Sequence, residues 1–367
     1  MHTASKVGLG VMGVVGMTAL VSFGYVQIQK NARLSATYST HDFDLAVPIP
    51  LSEAEIGALR AEREKAAQAN GTAIAAAQDG AAELAEGASA ADAIAAIEAT
   101  EPMDVLASVD LPAIAQARAQ ERGKHLVESR FACIECHGAD FSGGTMVDDG
   151  AMGTWLGPNL TEGEGSVTKD YAMKDWDAIV RHGVKKDGTA AIMPSEDFVN
   201  MSNRELSDIV SYIRSVAPVN NTVPSPTFGP IGSVLLATGA LPLSAESAAG
   251  HTEHADEPPE TAVTVEFGKH LSQVCTGCHR ADLNGGPIPI GPPDWPPSRN
   301  LTPHESGMKG WTLDQFRTAM TEGKRPDGSA LLAPMDLMMP YAKRMTDVEL
   351  EALFMYLQSL PPTETGT

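Results

Sequence analysis

Cys133-Ile134-Glu135-Cys136-His137 is repeated downstream as Cys275-Thr276-Gly277-Cys278-His279, so the chain carries two C-x-x-C-H motifs. At this spacing two thiols can attach covalently to a haem while the adjacent histidine ligates its iron. The two motifs use all four cysteines of the 367 residues. The sequence therefore predicts two covalently bound haem c groups and electron transfer as the function. The predicted attachment and proximal residues are Cys133, Cys136, His137, Cys275, Cys278 and His279.

Other uses of the cysteines fit less well. In zinc ribbons the two C-x-x-C pairs usually lie about 15 to 20 residues apart, whereas these motifs begin 142 residues apart. A thioredoxin-like site would need a βαβ pattern around one pair, and no such pattern is visible. Two short disulfides would not require a histidine after each pair.

The N-terminal residues predict a membrane anchor. Val7–Gln29 is a run of 23 uncharged residues, enough for a helix to cross a bilayer core of about 30 Å. A secretory signal has a shorter apolar core and a small-residue cleavage site, and no convincing site follows this run. Because bacteria attach haem c outside the cytoplasmic membrane, we expect a single-pass anchor in that membrane, with the chain after Arg33 in the periplasm.

Two segments have the composition of spacers. Ser52–Ile97 is dominated by alanine with scattered acidic residues, and alanine is the best helix former, so we expect a partly helical tether. Ala245–Glu260 contains acidic residues and no lysine or arginine, which favours a solvated linker. Its His251 and His254 are a weak metal signal beside that interpretation, and three further histidines are isolated: His41, His182 and His304.

The two cysteine motifs lie in an internal repeat. Gly123-Lys124-His125-Leu126 matches Gly268-Lys269-His270-Leu271, and Asn159-Leu160-Thr161 matches Asn300-Leu301-Thr302. The offset stays between 140 and 145 residues. We therefore predict two homologous domains in a chain divided as follows: a membrane anchor over 1–33, an Ala-rich periplasmic spacer over 34–110, domain 1 over 111–220, an acidic linker over 221–262, and domain 2 over 263–367.

Each repeat predicts a small all-α domain. Leading helices are expected from near Ile114 and near Val265. Ser202 and Thr346 each precede a glutamate by three residues, the capping-box pattern that begins a helix. Apolar residues then recur at helical spacing, up to Pro218 and Pro361.

The repeats resemble class I cytochrome c domains over Ala119–Pro218 and Val265–Pro362. The C-x-x-C-H motifs, the Asn-Leu-Thr segments and the terminal helices carry this resemblance. The chain is similar to the multihaem cytochrome c subunits that accept electrons from periplasmic alcohol and sugar dehydrogenases. The resemblance implies an all-α fold, two tandem class I cytochrome c-like domains behind a single N-terminal transmembrane helix, and does not specify the electron donor.

The resemblance also implies a methionine as the sixth iron ligand, on the loop before the last helix. In domain 1 the candidate is Met193, in Ile192-Met193-Pro194. Domain 2 has four more residues in the corresponding stretch, and Met335, Met338 and Met339 all lie near the expected place. Counting from Gly328 favours Met335, which we take as the predicted ligand.

Residues that support the haems follow from the same resemblance. The carbonyl of Pro158 corresponds to the one that accepts a hydrogen bond from the proximal histidine, whereas Arg299 occupies that place in domain 2 and leaves the second contact open. Trp176 and Trp311 are candidates for packing on haem edges or bonding a propionate, and Arg181 for offsetting propionate charge. Ordinary packing explains each of these three equally well.

The net charge of -21 disfavours nucleic acid as a partner and favours basic docking surfaces. The expected partners are redox proteins: a dehydrogenase or quinol-oxidising complex as donor, and a downstream acceptor. The alternatives are a dihaem peroxidase with one open iron site, against which two equivalent carrier-like domains argue, and a cytochrome subunit of a larger respiratory or photosynthetic complex.

Overall fold

The computed structural model describes residues 23–82, 105–288 and 295–366. These residues fall into two compact units. One comprises the chain up to Val47 together with Ala119–Thr367, and the other comprises Pro48–Arg118. Both C-x-x-C-H motifs lie in the first unit.

Most of the predicted anchor lies outside the described residues. Residues 23–34 are helical (α1), while 1–22 are not described. Within the described ranges, the helices are all too short or too polar to traverse a bilayer. The predicted anchor over 1–33 therefore stays a prediction.

The Ala-rich tether predicted over Ser52–Ile97 is helical over Glu53–Ala82, which forms helix α2. Ser52 caps its start, because the Glu55 amide donates to the Ser52 hydroxyl at 3.2 Å and the Ser52 amide donates to the Glu55 carboxylate at 2.8 Å. Residues 83–104, the rest of the predicted tether, lie outside the described ranges.

The two repeats are built mainly from helices. In chain order the helices are α3 (Leu111–His125), α4 (Cys133–His137), α5 (Met173–His182), α6 (Asn203–Ile213), α7 (Pro230–Thr238), α8 (Ser244–Ala248), α9 (Val265–Ser272), α10 (Thr276–His279), α11 (Leu313–Glu322), α12 (Met339–Ala342) and α13 (Asp347–Ser359). A π-helical segment, Leu126–Arg130, extends α3, and 3-10 turns occupy Ser195–Asp197, Gln273–Cys275 and Met335–Met338.

The terminal helices begin as the capping boxes predict. Ser202 accepts from the Glu205 amide and Thr346 accepts from the Glu349 amide, and both glutamates reach back to the backbone of the capping residue. Each terminal helix crosses the leading helix of its own repeat at a glycine. A Cβ at Gly123 would overlap the carbonyl oxygen of Asp208, and a Cβ at Gly268 would overlap that of Ala352. The shared glycine of Gly-Lys-His-Leu therefore sets the closest approach of two helices.

Each repeat has its own apolar core, formed largely by these helices. The domain 1 core has Val127, Trp176 and Leu206 among its buried members. The domain 2 core includes Phe267, Phe316 and Leu353.

The expectation of an all-α fold is wrong in one respect, because domain 1 carries a small antiparallel sheet in the order β1-β2-β3. Its strands are β1 (Gly144–Asp149), β2 (Gly153–Gly157) and β3 (Thr227–Phe228). The Asp149 carboxylate accepts from the amides of Ala151 and Met152 at 2.8 and 2.7 Å and so forms the turn between β1 and β2. Strand β3 comes from the segment predicted as a linker.

In the segment predicted as a linker over 221–262, the acidic stretch Ala245–Glu260 consists mostly of exposed and half-buried residues, whereas the residues before it pack on domain 1. Leu236 and Leu243 are fully buried and share a third core cluster with Trp155 and Val184 of domain 1. These residues pack on domain 1 because an apolar stretch precedes the acidic residues, and most of that apolar stretch forms α7. Two of the acidic residues form ion pairs: Glu246 accepts from Arg33 at 2.9 Å, and Glu257 accepts from Arg204 at 2.6 Å.

Candidate haem sites

Each C-x-x-C-H motif forms a short helix, α4 in domain 1 and α10 in domain 2. Helix α4 packs on β1 and β2. This contact needs a glycine, because a Cβ at Gly157 would overlap the carbonyl oxygen of Cys136. Since β2 ends at Gly157, the sheet holds the following Pro158 close to the first motif.

Both motif histidines are oriented in the same way. His137 Nδ1 lies 3.0 Å from the carbonyl oxygen of Pro158, and His279 Nδ1 lies 2.7 Å from that of Arg299. A ring that donates through Nδ1–H keeps its lone pair on Nε2, the atom available to a metal. Burial lowers the pKa of both histidines, so both stay neutral as ligation requires. The contact predicted for Pro158 is present, and Arg299 supplies its counterpart, which the sequence left open.

The Asn-Leu-Thr segments explain why these carbonyls are in place. The Asn159 side-chain oxygen accepts from the Thr161 amide at 2.9 Å, and its amide group donates to the Val219 carbonyl at 2.8 Å. In domain 2, Asn300 makes the same bond to Thr302 at 2.9 Å and donates to the Thr363 carbonyl at 2.7 Å. In each repeat the residue after the accepting carbonyl is therefore a buried asparagine, and its side chain binds the chain beyond the terminal helix.

The motif cysteines lie in apolar surroundings. Burial raises the pKa of Cys133 and of Cys275 to about 12, so an uncharged sulfur is favoured at both positions. A thioether to a haem is uncharged, and the surroundings of both cysteines therefore fit covalently attached haem.

The methionine candidates differ in their surroundings. Met193 packs against the domain 1 core, and its amide donates to the Ser244 hydroxyl of α8 at 3.2 Å. In domain 2, Met339 is buried, with its sulfur 3.7 Å from where a Cβ at Gly323 would lie. Met338 is exposed, and Met335 is half-buried at the start of its 3-10 turn. Their role as iron ligands stays a prediction.

The remaining predicted residues also find distinct positions. Trp176 is buried, and its indole N–H has no partner among the described residues, which suits an acceptor such as a haem propionate. Trp311 packs at the edge of the domain 2 core. Arg181 is fully buried and donates to Asp177 at 2.7 Å and to Asn203 at 2.9 Å, so its predicted role at a propionate stays a prediction.

The repeats meet through reciprocal histidine–glutamate pairs that the sequence did not predict. His125 of domain 1 lies 2.8 Å from the Glu349 carboxylate of domain 2, and His270 of domain 2 lies 2.8 Å from the Glu205 carboxylate of domain 1. Each histidine is the third residue of a Gly-Lys-His-Leu segment, and each glutamate belongs to a capping box. Arg130 adds a bond to one side only, since it donates to the His270 carbonyl at 2.8 Å and pairs with Glu205.

The motif helices contact the opposite repeat as well. Glu135, inside the first motif, accepts a hydrogen bond from the Tyr341 hydroxyl. Gly277, inside the second motif, lies against the Asp197 carboxylate, which would be 2.8 Å from a Cβ at that position. Tyr341 and Asp197 each follow the candidate methionine of their own domain by a few residues. Each C-x-x-C-H motif therefore faces the predicted sixth-ligand loop of the other repeat.

Comparisons with known proteins agree with the repeat. A model of the cytochrome c family matches residues 120–217 and 265–361, just over half of the chain. The chain is 27% identical over 263 residues to the cytochrome c subunit of a quinone alcohol dehydrogenase of Komagataeibacter europaeus, covering 63% of this chain and 53% of that protein. It is 25% identical over 290 residues to the gluconate 2-dehydrogenase cytochrome c subunit of Pantoea cypripedii, covering 70% and 64%.

Proposed function

Since this chain belongs to the cytochrome c family, we propose that it is a dihaem electron-transfer protein that passes electrons between a dehydrogenase or quinol-linked complex and a downstream acceptor. When bound, each haem supplies an iron that is reversibly reduced by one electron. The chain supplies attachment, orientation and an apolar enclosure. No residue of the proposal acts as a catalytic acid, base or nucleophile.

The proposal rests on one observation above all. Both C-x-x-C-H histidines direct Nδ1 to a backbone carbonyl, and both carbonyls precede a buried asparagine. One such site could be an accident of packing, but two sites built by the same set of contacts indicate the same use. The two attachment sites are therefore Cys133, Cys136 and His137 in domain 1, and Cys275, Cys278 and His279 in domain 2.

Met193 and Met335 are the proposed sixth ligands. Methionine opposite histidine keeps the iron six-coordinate and raises its potential relative to a second histidine. Ser244 contacts both the amide and the carbonyl of Met193 and thereby fixes the loop. In domain 2, the side chain of Met339 packs beside Gly323, which favours Met335 over Met339 as the iron ligand.

The matched relatives support a place beside a dehydrogenase. Those proteins are cytochrome c subunits of quinone alcohol dehydrogenases and of gluconate 2-dehydrogenase. The aligned region spans 53% and 64% of their lengths, so the particular enzyme does not carry over from them. The proposed location is the periplasmic face of the bacterial cytoplasmic membrane, with residues 1–33 as the anchor.

The test is optical. The oxidised, haem-loaded chain is expected to show two low-spin haems with the near-infrared sulfur-to-iron band, and an intact mass with two haem additions. Met193→Ala and Met335→Ala should each remove half of that band, while Met338→Ala and Met339→Ala serve as matched controls and should leave it unchanged. A wild-type haem that is high-spin, or that readily binds cyanide or peroxide, would replace the carrier proposal with a peroxidase-type enzyme.

A further inference from the structure

Four side chains far apart in sequence meet beside domain 1. His41 comes from the part of the predicted 34–110 spacer that precedes α2, Asp177 and His182 from α5, and His254 from the linker. One ligand atom of each lies within 4.8 Å of every other. The side chains of Asp177 and His182 are 0% exposed, that of His254 is 3% exposed and that of His41 is 25% exposed. Apart from Asp177, no function assigned above uses any of these residues.

The distances match those between the ligands of one metal ion. Four ligands at about 2.0–2.1 Å from a tetrahedral ion are separated from each other by about 3.3–3.4 Å. His182 Nε2 lies 3.4 Å from His254 Nε2 and 3.4 Å from Asp177 Oδ2, and His41 Nε2 lies 3.6 Å from the same Oδ2. These values exceed the usual 2.7–3.2 Å of a hydrogen bond.

The outer ring nitrogens are held as metal-binding histidines usually are. His182 Nδ1 lies 3.2 Å from the Ala248 carbonyl, and His254 Nδ1 lies 3.1 Å from the Val199 carbonyl. Carbonyl oxygens only accept, so both rings carry their proton on Nδ1 and turn an Nε2 lone pair inward. Asp177 Oδ2 is buried without a hydrogen-bond partner among the described residues. Lone pairs and a carboxylate that face one another in a buried space are stabilised by a cation between them, either a metal ion or a proton added to one imidazole.

Arg181 does not take that place. Its guanidinium donates to Oδ1 of Asp177 at 2.7 Å and to the Met201 carbonyl at 3.1 Å. His41 Nε2 and His182 Nε2 lie nearest the other oxygen, Oδ2, while His254 Nε2 is 3.9 Å from Oδ1. Its positive charge opposes a second cation nearby. That charge is offset by Asp177 and by the neighbouring Glu205, and Oδ2 stays available.

We propose that His41, Asp177, His182 and His254 bind one divalent transition-metal ion, with Zn²⁺ the best match to this donor set. Imidazole nitrogens suit zinc, copper, iron and nickel, and four protein ligands around a buried centre are the mark of a structural zinc site. His251 lies beside the site, with its ring 4.7 Å from that of His254 and its Nε2 buried without a partner among the described residues.

The ion would fasten the linker and residue 41 to α5. This matters for the first haem site because Ser244, ten residues before His254 in the same linker, contacts the backbone of Met193. Metal binding therefore holds the segment that fixes the sixth-ligand loop. The role is structural and adds a third metal centre to the two proposed haem irons.

The experiment uses the full haem-loaded chain in detergent. After chelator treatment and buffer exchange, Zn²⁺ is titrated in competition with a chromophoric chelator, and bound zinc is counted by elemental analysis against haem. We expect one Zn²⁺ per chain. His182→Ala and His254→Ala should weaken binding by at least about 100-fold, whereas His304→Ala, which changes a half-buried histidine of domain 2 outside the cluster, should leave it unchanged. Zinc-edge X-ray absorption of the wild type should show four nitrogen and oxygen ligands.

A second readout is independent of the variants. Hydrogen exchange over residues 244–256 should accelerate when zinc is removed from the wild type and slow again when it is restored. The proposal is overturned if zinc binds below one equivalent, if His304→Ala weakens binding as much as the two ligand variants do, or if exchange of this segment ignores the metal. Stoichiometric copper or nickel in place of zinc, lost in the same two variants, would overturn the zinc assignment.

Discussion

Replacing Glu205 by glutamine tests how the repeats are held together. Its carboxylate is 4% exposed, pairs with Arg130, which is 5% exposed, and lies 2.8 Å from His270 of domain 2. Burial alone would raise the pKa of Glu205, but the Arg130 charge and the His270 hydrogen bond lower it from 4.5 to about 2. Glutamine keeps the shape and the capping oxygen but removes the charge.

The expected loss follows from that pKa. A depression from 4.5 to about 2 corresponds to about 3 kcal/mol of stability, and leaving a buried arginine without its partner costs a similar amount. Because the folded pKa lies below the unfolded one, the contribution is complete above about pH 5 and is lost as pH falls through 4.5 toward 2. The gap between wild type and Glu205→Gln should therefore be about 3 kcal/mol at pH 7 and should shrink steadily below pH 5.

Glu349→Gln is the matched control, since Glu349 occupies the same place in domain 2. Its partner His125 is 33% exposed, and no arginine of the described part of domain 2 pairs with Glu349 as Arg130 pairs with Glu205, so we expect a loss of about 1 kcal/mol. Urea midpoints of the haem-loaded variants, followed by far-ultraviolet circular dichroism between pH 3 and 7, measure both. A Glu205→Gln deficit equal to that of Glu349→Gln, or one that does not change with pH, would refute the reasoning.

Two further predictions concern the helix crossing and the second motif. Gly268→Ala should lower the free energy of unfolding by about 3 kcal/mol because the new methyl group would overlap the Ala352 carbonyl, whereas Gly250→Ala, which meets nothing within 4 Å, should change the urea midpoint little. Burial and the neighbouring Glu196 raise the pKa of Asp197 to about 7, so the potential of the second haem should fall by roughly tens of millivolts as pH rises through 7. Redox titration of Asp197→Asn, which should lose this step, checks that assignment.

Local patterns in the sequence predicted local structure well. The capping boxes at Ser202 and Thr346 begin helices as expected, and the predicted Pro158 contact is present. These features depend on residues a few positions apart, or on a spacing shared by both repeats. The small sheet also left a local signal, Asp149-Gly150 at the turn between two short runs that contain threonine, valine and tryptophan, which the all-α prediction did not include.

Contacts between residues far apart in sequence could not be predicted in the same way. His41, His182 and His254 share no motif spacing, and only folding of the linker onto α5 brings them together. The histidines and glutamates of the reciprocal pairs each belong to a segment that the sequence repeats. Which histidine contacts which glutamate depends on how the two domains pack together, and the spacing of residues within a repeat does not predict that packing.

The docking of the repeats bears directly on electron transfer. Glu135 of the first motif contacts Tyr341, and Gly277 of the second motif contacts Asp197. Both motifs belong to one compact unit, so the haems proposed there would be held by one packed assembly. The surroundings of the two motifs are unequal, because Arg130 and the histidine cluster have no counterpart around domain 2 among the described residues. If both proposed haems have the same ligands, these unequal fields should give them different potentials.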